Sequence, residues 1–249
     1  MLQASGVGLT HGGRAFVSEV NFIVRAGETL GIIGVSGNGQ SSLIELACGL
    51  QAPTAGSLKL FGKPVRTASP RSFVEAGVGR VPEDRHAQGA VAEMALWENA
   101  VLERLHESRF ARCGFVRRAA ARAFARDVIA RFDVRGGTPA SAARLLSGGN
   151  LQKMILGRNL LTNPRLLVAA QPTRGLDEGA VAAVHAQILT ARDAGCGILL
   201  VSEDLDEMLG LADQVQAMVK GRLSAPVPAQ GLDARRLGRM MAGVWDEAA

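Results

Sequence analysis

The run Glu28-Thr29-Leu30-Gly31-Ile32-Ile33-Gly34, continued by Val35-Ser36-Gly37-Asn38-Gly39-Gln40-Ser41-Ser42, restricts the possible folds more than any other part of the chain. Its short apolar half ends in glycines, and helical periodicity follows from Ser41 to Leu50, so it predicts a strand, a glycine-rich turn and a helix start. Leu166 to Ala170 and Gly197 to Val201 are similar apolar runs bounded by Pro, Gly or polar residues, as expected of strands buried on both faces. Strands of this kind need crossover helices, which predicts an α/β fold with a parallel sheet. The turn itself is an anion site in the making, because successive backbone N–H groups converge where the helix dipole is positive.

Other segments predict different structure. Gly6 to Leu9, Phe16 to Val20, Phe22 to Val24 and Ser57 to Phe61 alternate as strands of a small antiparallel sheet. Ala92 to Phe132 is alanine-rich and reads as a helical insert broken near Cys113-Gly114. After Gly221, Pro226 and Pro228 read as a linker, followed by a short amphipathic segment ending near Trp245.

At 249 residues the chain can bury a substantial core, and 47% hydrophobic with 20% charged residues argues against disorder. There is no apolar run of the roughly 18 residues that span a bilayer and no signal-peptide pattern, so a cytoplasmic protein is expected. Cys48, Cys113 and Cys196 have neither disulfide nor zinc spacing and are expected to be small buried hydrophobes. The net charge of +5 comes largely from arginines between Arg104 and Arg135. These fit a solvated helical face near anionic lipid headgroups or a partner; without interleaved aromatics they fit nucleic acid less well.

Several motifs occur in a fixed order: Gly34 to Ser42, Val81-Pro82-Glu83-Asp84-Arg85-His86, Leu146-Ser147-Gly148-Gly149-Asn150, Leu166 to Thr173, Gly175-Leu176-Asp177 and Val201-Ser202-Glu203-Asp204-Leu205. Together they resemble the nucleotide-binding domain of ABC transporters, and more closely the second, C-terminal and often degenerate ATP-binding half of bacterial importers of simple sugars and nucleosides. The resemblance implies a RecA-like parallel core with an N-terminal antiparallel subdomain over residues 1–82 and 156–220, a helical subdomain over 83–155 and a C-terminal extension over 221–249. It also implies ATP and Mg²⁺ as ligands, with Gly34, Ser36, Gly37, Asn38, Gly39, Gln40, Ser41 and Ser42 at the phosphates and the Ser41 hydroxyl on Mg²⁺.

Against the family pattern, Gln40 stands where a phosphate-binding lysine is expected, Ala170 at the Mg²⁺-organising aspartate and Gln171 at the catalytic glutamate. Glu203 takes the switch-histidine place, Glu83 the Q-loop glutamine and His11 that of the aromatic that stacks on adenine. A neutral bond from Gln40 is weaker than a charge-assisted one, Gln171 cannot accept a proton, and Glu203 repels a triphosphate. Little hydrolysis and weak nucleotide binding are therefore expected at this site, with little or no turnover by this half alone. Ser147, Gly148, Gly149 and Asn150, with Asp177, are expected to serve the ATP of another ATP-binding half, which in the family precedes this one in the same polypeptide. Transmembrane permease subunits and, indirectly, a solute-binding protein complete the expected partners at the cytoplasmic face of the membrane; no nucleic acid is expected. A self-sufficient ABC ATPase, a nucleotide-free scaffold and a non-transport ABC ATPase acting on nucleic acid are the alternatives.

Overall fold

The structure is a computed structural model that describes residues 1–245. The last four residues of the expected C-terminal extension, 246–249, lie outside the described residues. The chain opens with β1 (Leu2–His11) and β2 (Arg14–Val24), then β3 (Thr29–Ile33), α1 (Gln40–Ala47), β4 (Ala55–Leu60), β5 (Lys63–Pro64), α2 (Pro70–Ala76) and β6 (Val78–Val81). A π-turn at Arg85–Gly89 leads to α3 (Leu96–Val101), the hairpin β7 (Ala111–Arg112) and β8 (Phe115–Val116), and α4 (Arg118–Arg131). Then come α5 (Gly148–Leu160), β9 (Leu166–Ala170), α6 (Glu178–Asp193), β10 (Gly197–Ser202), α7 (Leu205–Leu211), β11 (Gln214–Val219), β12 (Arg222–Leu223), β13 (Val227–Pro228) and α8 (Ala234–Met241).

The central sheet runs β12-β11-β3-β10-β9-β6, with β11, β3, β10, β9 and β6 parallel to one another and β12 antiparallel to β11. Every residue of β3, β9 and β10 is buried, which is why these strands read as continuous apolar runs. Alternate side chains feed two cores. Leu30, Ile32, Val168 and Leu199 pack with α1 and the antiparallel sheet, whereas Ile33, Leu167, Ala169 and Leu200 pack with the helices of the opposite face. The antiparallel sheet has the order β2-β1-β4-β5.

Four segments differ from the sequence reading. Phe16–Val20 and Phe22–Val24 are one strand, β2, interrupted only by Glu19 at φ 54°. The Ala92–Phe132 region is not one broken helix: α3 and α4 are separated by the β7–β8 hairpin, whose turn residues Cys113 and Gly114 have φ 51° and 80°. Positive φ at both central positions is the signature of a type I′ turn, and it overrides the helical propensity of the flanking alanines. That turn also carries Cys113 to the surface, against the expectation that all three cysteines are buried; Cys48 and Cys196 are. The Pro226–Pro228 segment is no free linker, since Val227–Pro228 pairs with β11, and α8 follows with Leu237 and Met240 buried in the core.

Candidate functional site

Parallel strands in register end together, so the loops that follow them meet. Ile33 lies opposite Ser202 and Ala170 opposite Val201, which brings the glycine-rich turn, Gln171 and Glu203 to one end of the sheet. A cavity there is lined by Ser36, Gln40, Ser41, Glu83, Ala170 and Glu203, among others, so residues expected at a nucleotide from four separate segments do converge.

The turn is held from within. The side chain of Gln40, 9% exposed, folds back into the loop: its Oε1 accepts the Asn38 N–H at 3.0 Å and its Nε2 donates to the Val35 carbonyl at 2.8 Å. Asn38 adds a bond from Nδ2 to the same carbonyl at 2.9 Å. The loop is also tied to the turn after β11, where Lys220 N–H donates to Asn38 Oδ1 at 2.8 Å and Gly221 N–H to Asn38 O at 2.7 Å. Gly39 closes it at φ 111°, and a Cβ there would stand 2.5 Å from the Phe16 carbonyl, so position 39 needs a glycine twice over.

Across the cavity, the Ser36 hydroxyl bonds the Glu203 carboxylate. Gln171, at φ 46°, accepts the Glu203 N–H through Oε1 at 3.4 Å. Such a backbone conformation is uncommon for a residue other than glycine and occurs often at functional sites. What remains is about 20 Å³, room for roughly one or two waters. Of the groups that a Mg²⁺–triphosphate would meet in this lining, one loop N–H is bonded to Gln40, no lysine is among them, Ala170 offers no ligand atom and Glu203 carries a carboxylate. Among the described residues, no group of three or more His, Cys, Asp or Glu is placed to hold a metal. Ser41 is exposed at the start of α1, and His11 is exposed at the tip of the β1–β2 hairpin.

The second glycine segment lies at the start of α5. Ser147 caps this helix, its Oγ accepting the Asn150 N–H at 3.4 Å and Asn150 Nδ2 at 2.9 Å, while Gly148 and Gly149 form the first turn. Gly148 and Gly149 are half-buried there, at the positive end of the helix, the kind of position at which backbone N–H groups can meet a phosphate. Asp177 caps α6, accepting the Ala180 N–H at 2.9 Å. The buried Gln152 fastens α5 to the turn after β9 through Nε2 and the Pro172 carbonyl, 2.6 Å apart.

Two arginines escaped the sequence reading. Arg85 donates from Nη1 to the Arg174 carbonyl at 2.6 Å, and its Nη2 lies so close to Gly148 that a Cβ on that glycine would approach it to 2.8 Å. Arg174 in turn pairs with Glu83 at 2.9 Å, so the Q-loop position is engaged by an ion pair. Nothing in the spacing of these loop arginines marks them out; only the folded arrangement does. Asp84 caps the π-turn by accepting the Ala87 and His86 N–H groups, and those bonds hold its carboxyl below the usual range. His86 is exposed and has no part in the cavity.

The ABC transporter family model matches residues 17–174, more than half of the chain. The chain belongs to the ABC transporter family. This ABC chain is 41% identical to the guanosine import ATP-binding protein NupO of Bacillus subtilis over 227 residues, which cover 91% of the chain and 44% of that protein. It is 42% identical to a glucose import ATP-binding protein of Haloferax volcanii, covering 94% of the chain and 43% of the relative. The chain thus spans less than half the length of these curated relatives. Among solved structures, a dimeric post-hydrolysis ATP-binding cassette bound to ADP and Pi superposes with a TM-score of 0.78 at 20% identity, covering 93% of this chain and all of the other. A nucleotide-free cassette gives 0.77 at 21% identity, covering 97% and 95% of the two chains. At those identities the likeness shows the fold, an ABC ATPase cassette with a parallel-sheet core and an antiparallel subdomain.

Proposed function

We propose that this chain is the degenerate ATP-binding half of an importer for simple sugars or nucleosides, and that it is kept for the signature it presents to a partner half. The observation that carries the reading is the Gln40 side chain lying inside its own phosphate loop. An N–H already satisfied by the chain gains little from a phosphate, because binding exchanges one hydrogen bond for another. Glu203 adds repulsion and Ala170 removes the Mg²⁺ ligand, so ATP and Mg²⁺ bind weakly here. Gln171 has the shape of a catalytic glutamate but cannot take a proton from water, a loss worth about 10²–10⁴-fold in rate.

The opposite face keeps the groups a γ-phosphate needs. Ser147, Gly148, Gly149 and Asn150, with Asp177, complete the ATP site of the partner half, which in the family pattern is the N-terminal half of the same polypeptide. Hydrolysis there drives uptake. Relatives named as import ATP-binding proteins for guanosine, glucose and nucleosides support the transport role and the solute class. In this reading residues 1–82 and 156–220 form the nucleotide core, 83–155 the helical subdomain and 221–249 a C-terminal extension. The whole sits peripherally at the cytoplasmic face against permease subunits that a solute-binding protein supplies. Among the described residues, no helix is long and apolar enough to cross a membrane.

The test is asymmetry in the complete transporter. Ser147→Arg is expected to abolish uptake and ATPase activity by blocking the partner's γ-phosphate contact, whereas Gln171→Ala leaves both nearly unchanged. Equal losses from the two substitutions would sink the asymmetric reading, and a silent Ser147→Arg would remove the donor role.

A further inference from the structure

We propose that the β7–β8 hairpin and the adjoining face of α4 form a contact surface for anionic lipid headgroups, with Phe115 as its apolar tip. At 79% exposure Phe115 is the most exposed large apolar side chain among the described residues, and Val116 beside it is 39% exposed. Display of a phenyl ring in water is costly, and nothing among the described residues covers it. The hairpin is rigidly mounted all the same. Phe110 at its base is 2% exposed and packs on Phe124 with ring centroids 5.3 Å apart, the Arg109 guanidinium lies 4.3 Å from the Phe110 centroid, and the Arg117 N–H donates to the Phe110 carbonyl at 2.7 Å.

Cations lie beside the ring in the chain. Arg112 is directly opposite Phe115 in the hairpin and Arg118 opens α4; both are exposed and, among the described residues, neither forms an ion pair, while Arg117 donates to the Ser108 carbonyl at 3.4 Å. Along α4, Arg118, Arg122 and Arg126 recur every four residues and so continue the stripe on one helical face. The acidic groups nearby are Glu107, already held by Arg104 and Arg109 at 2.6 Å each, and the exposed Asp127. A positive stripe ending in an exposed aromatic matches a bilayer interface, where guanidinium groups meet phosphates and a ring enters the headgroup–acyl boundary. Single-stranded nucleic acid would want a series of stacking rings, and the hairpin offers one. The hairpin is separate from the nucleotide loop, and vesicle binding by the chain is independent of what that loop holds.

Cys113 provides the probe. It is exposed at the hairpin tip, whereas Cys48 and Cys196 are buried and their thiols are pushed up to about 12, chiefly by desolvation. An environment-sensitive thiol-reactive fluorophore therefore labels the tip selectively. Its emission is expected to shift to the blue with vesicles containing phosphatidylglycerol at low salt, and not with pure phosphatidylcholine vesicles. In sedimentation of the unlabelled chain, R112A/R118A is expected to weaken vesicle binding about 30-fold, from about fivefold per cation near an anionic surface, and Phe115→Ser roughly tenfold or more. The double variant R66A/R235A, which removes equal charge from exposed positions elsewhere, leaves binding unchanged. Thermal melts of all variants separate these losses from misfolding. Absence of a shift with phosphatidylglycerol vesicles overturns the proposal, as does an equal loss in R66A/R235A. Binding of the hairpin to RNA or to permease subunits without vesicle binding would also overturn it.

Discussion

Position 40 decides what the glycine-rich loop can hold, because a side chain there either reaches out to a ligand or turns back on its own backbone. Gln40 turns back, satisfying the Asn38 N–H and the Val35 carbonyl. A lysine cannot accept the Asn38 N–H, so Gln40→Lys frees that donor and adds a cation, while Glu203→His removes the carboxylate bonded to Ser36. The double variant is expected to bind ATP at least about fivefold more tightly than the wild type, from a gain of about 1 kcal/mol or more in charge-assisted bonding. Isothermal calorimetry checks this, and low-micromolar binding by the wild type would show that Gln40 and Glu203 do not weaken the site. The identity of these residues was legible in the sequence as departures from a family pattern. Where the Gln40 amide rests was not, since a glutamine can donate outward as readily as inward. Arg85 and Arg174 were not legible at all, because a charged loop residue looks the same in sequence whether it is solvated or bridges two segments.

Elements differed in legibility for reasons of burial. The strands β3, β9 and β10 stood out because both of their faces are covered, which leaves polar residues only at the ends of the runs, Thr29 and Ser202. The hairpin between α3 and α4 was hidden because its strands have two residues each and alanine favours helix on either side. The glycines after Ser147 marked a helix start, but the polar anchor within α5 was not legible: Gln152, which follows the signature as a continuation of its helix, is 2% exposed and donates to the Pro172 carbonyl. Gln152→Ala deletes that bond and leaves a buried carbonyl without a partner, at an expected cost of about 2 kcal/mol. Urea denaturation of the purified chain measures it. A loss below about 0.5 kcal/mol, typical of surface substitutions, would show that the tether contributes little.

At the scale of the whole molecule, the two-faced sheet explains how the tail joins the fold. The sequence reading set it apart as linker and extension, because prolines and a short amphipathic segment do not say which core the apolar face leans on. In the structure α8 packs beside β11, and Leu237 is fully buried in the same core as Val215 and Ala217. Leu237→Ala should then cost 2–5 kcal/mol, as for other buried leucines, in a single cooperative transition followed by circular dichroism in urea. A loss near zero, or a separate transition for the tail, would show the segment to be an appendage. The seam between the core and the α5 region has a built-in stop. Arg85 bridges it, bonded to the Arg174 carbonyl on one side and pressed against Gly148 on the other. A region that pivots freely must give up its orientational freedom when a neighbour docks, and this weakens the encounter. Here the Arg85 bridge gives up part of that freedom when the chain folds, so less of it is left to lose when a surface arrives at the Ser147 end of α5.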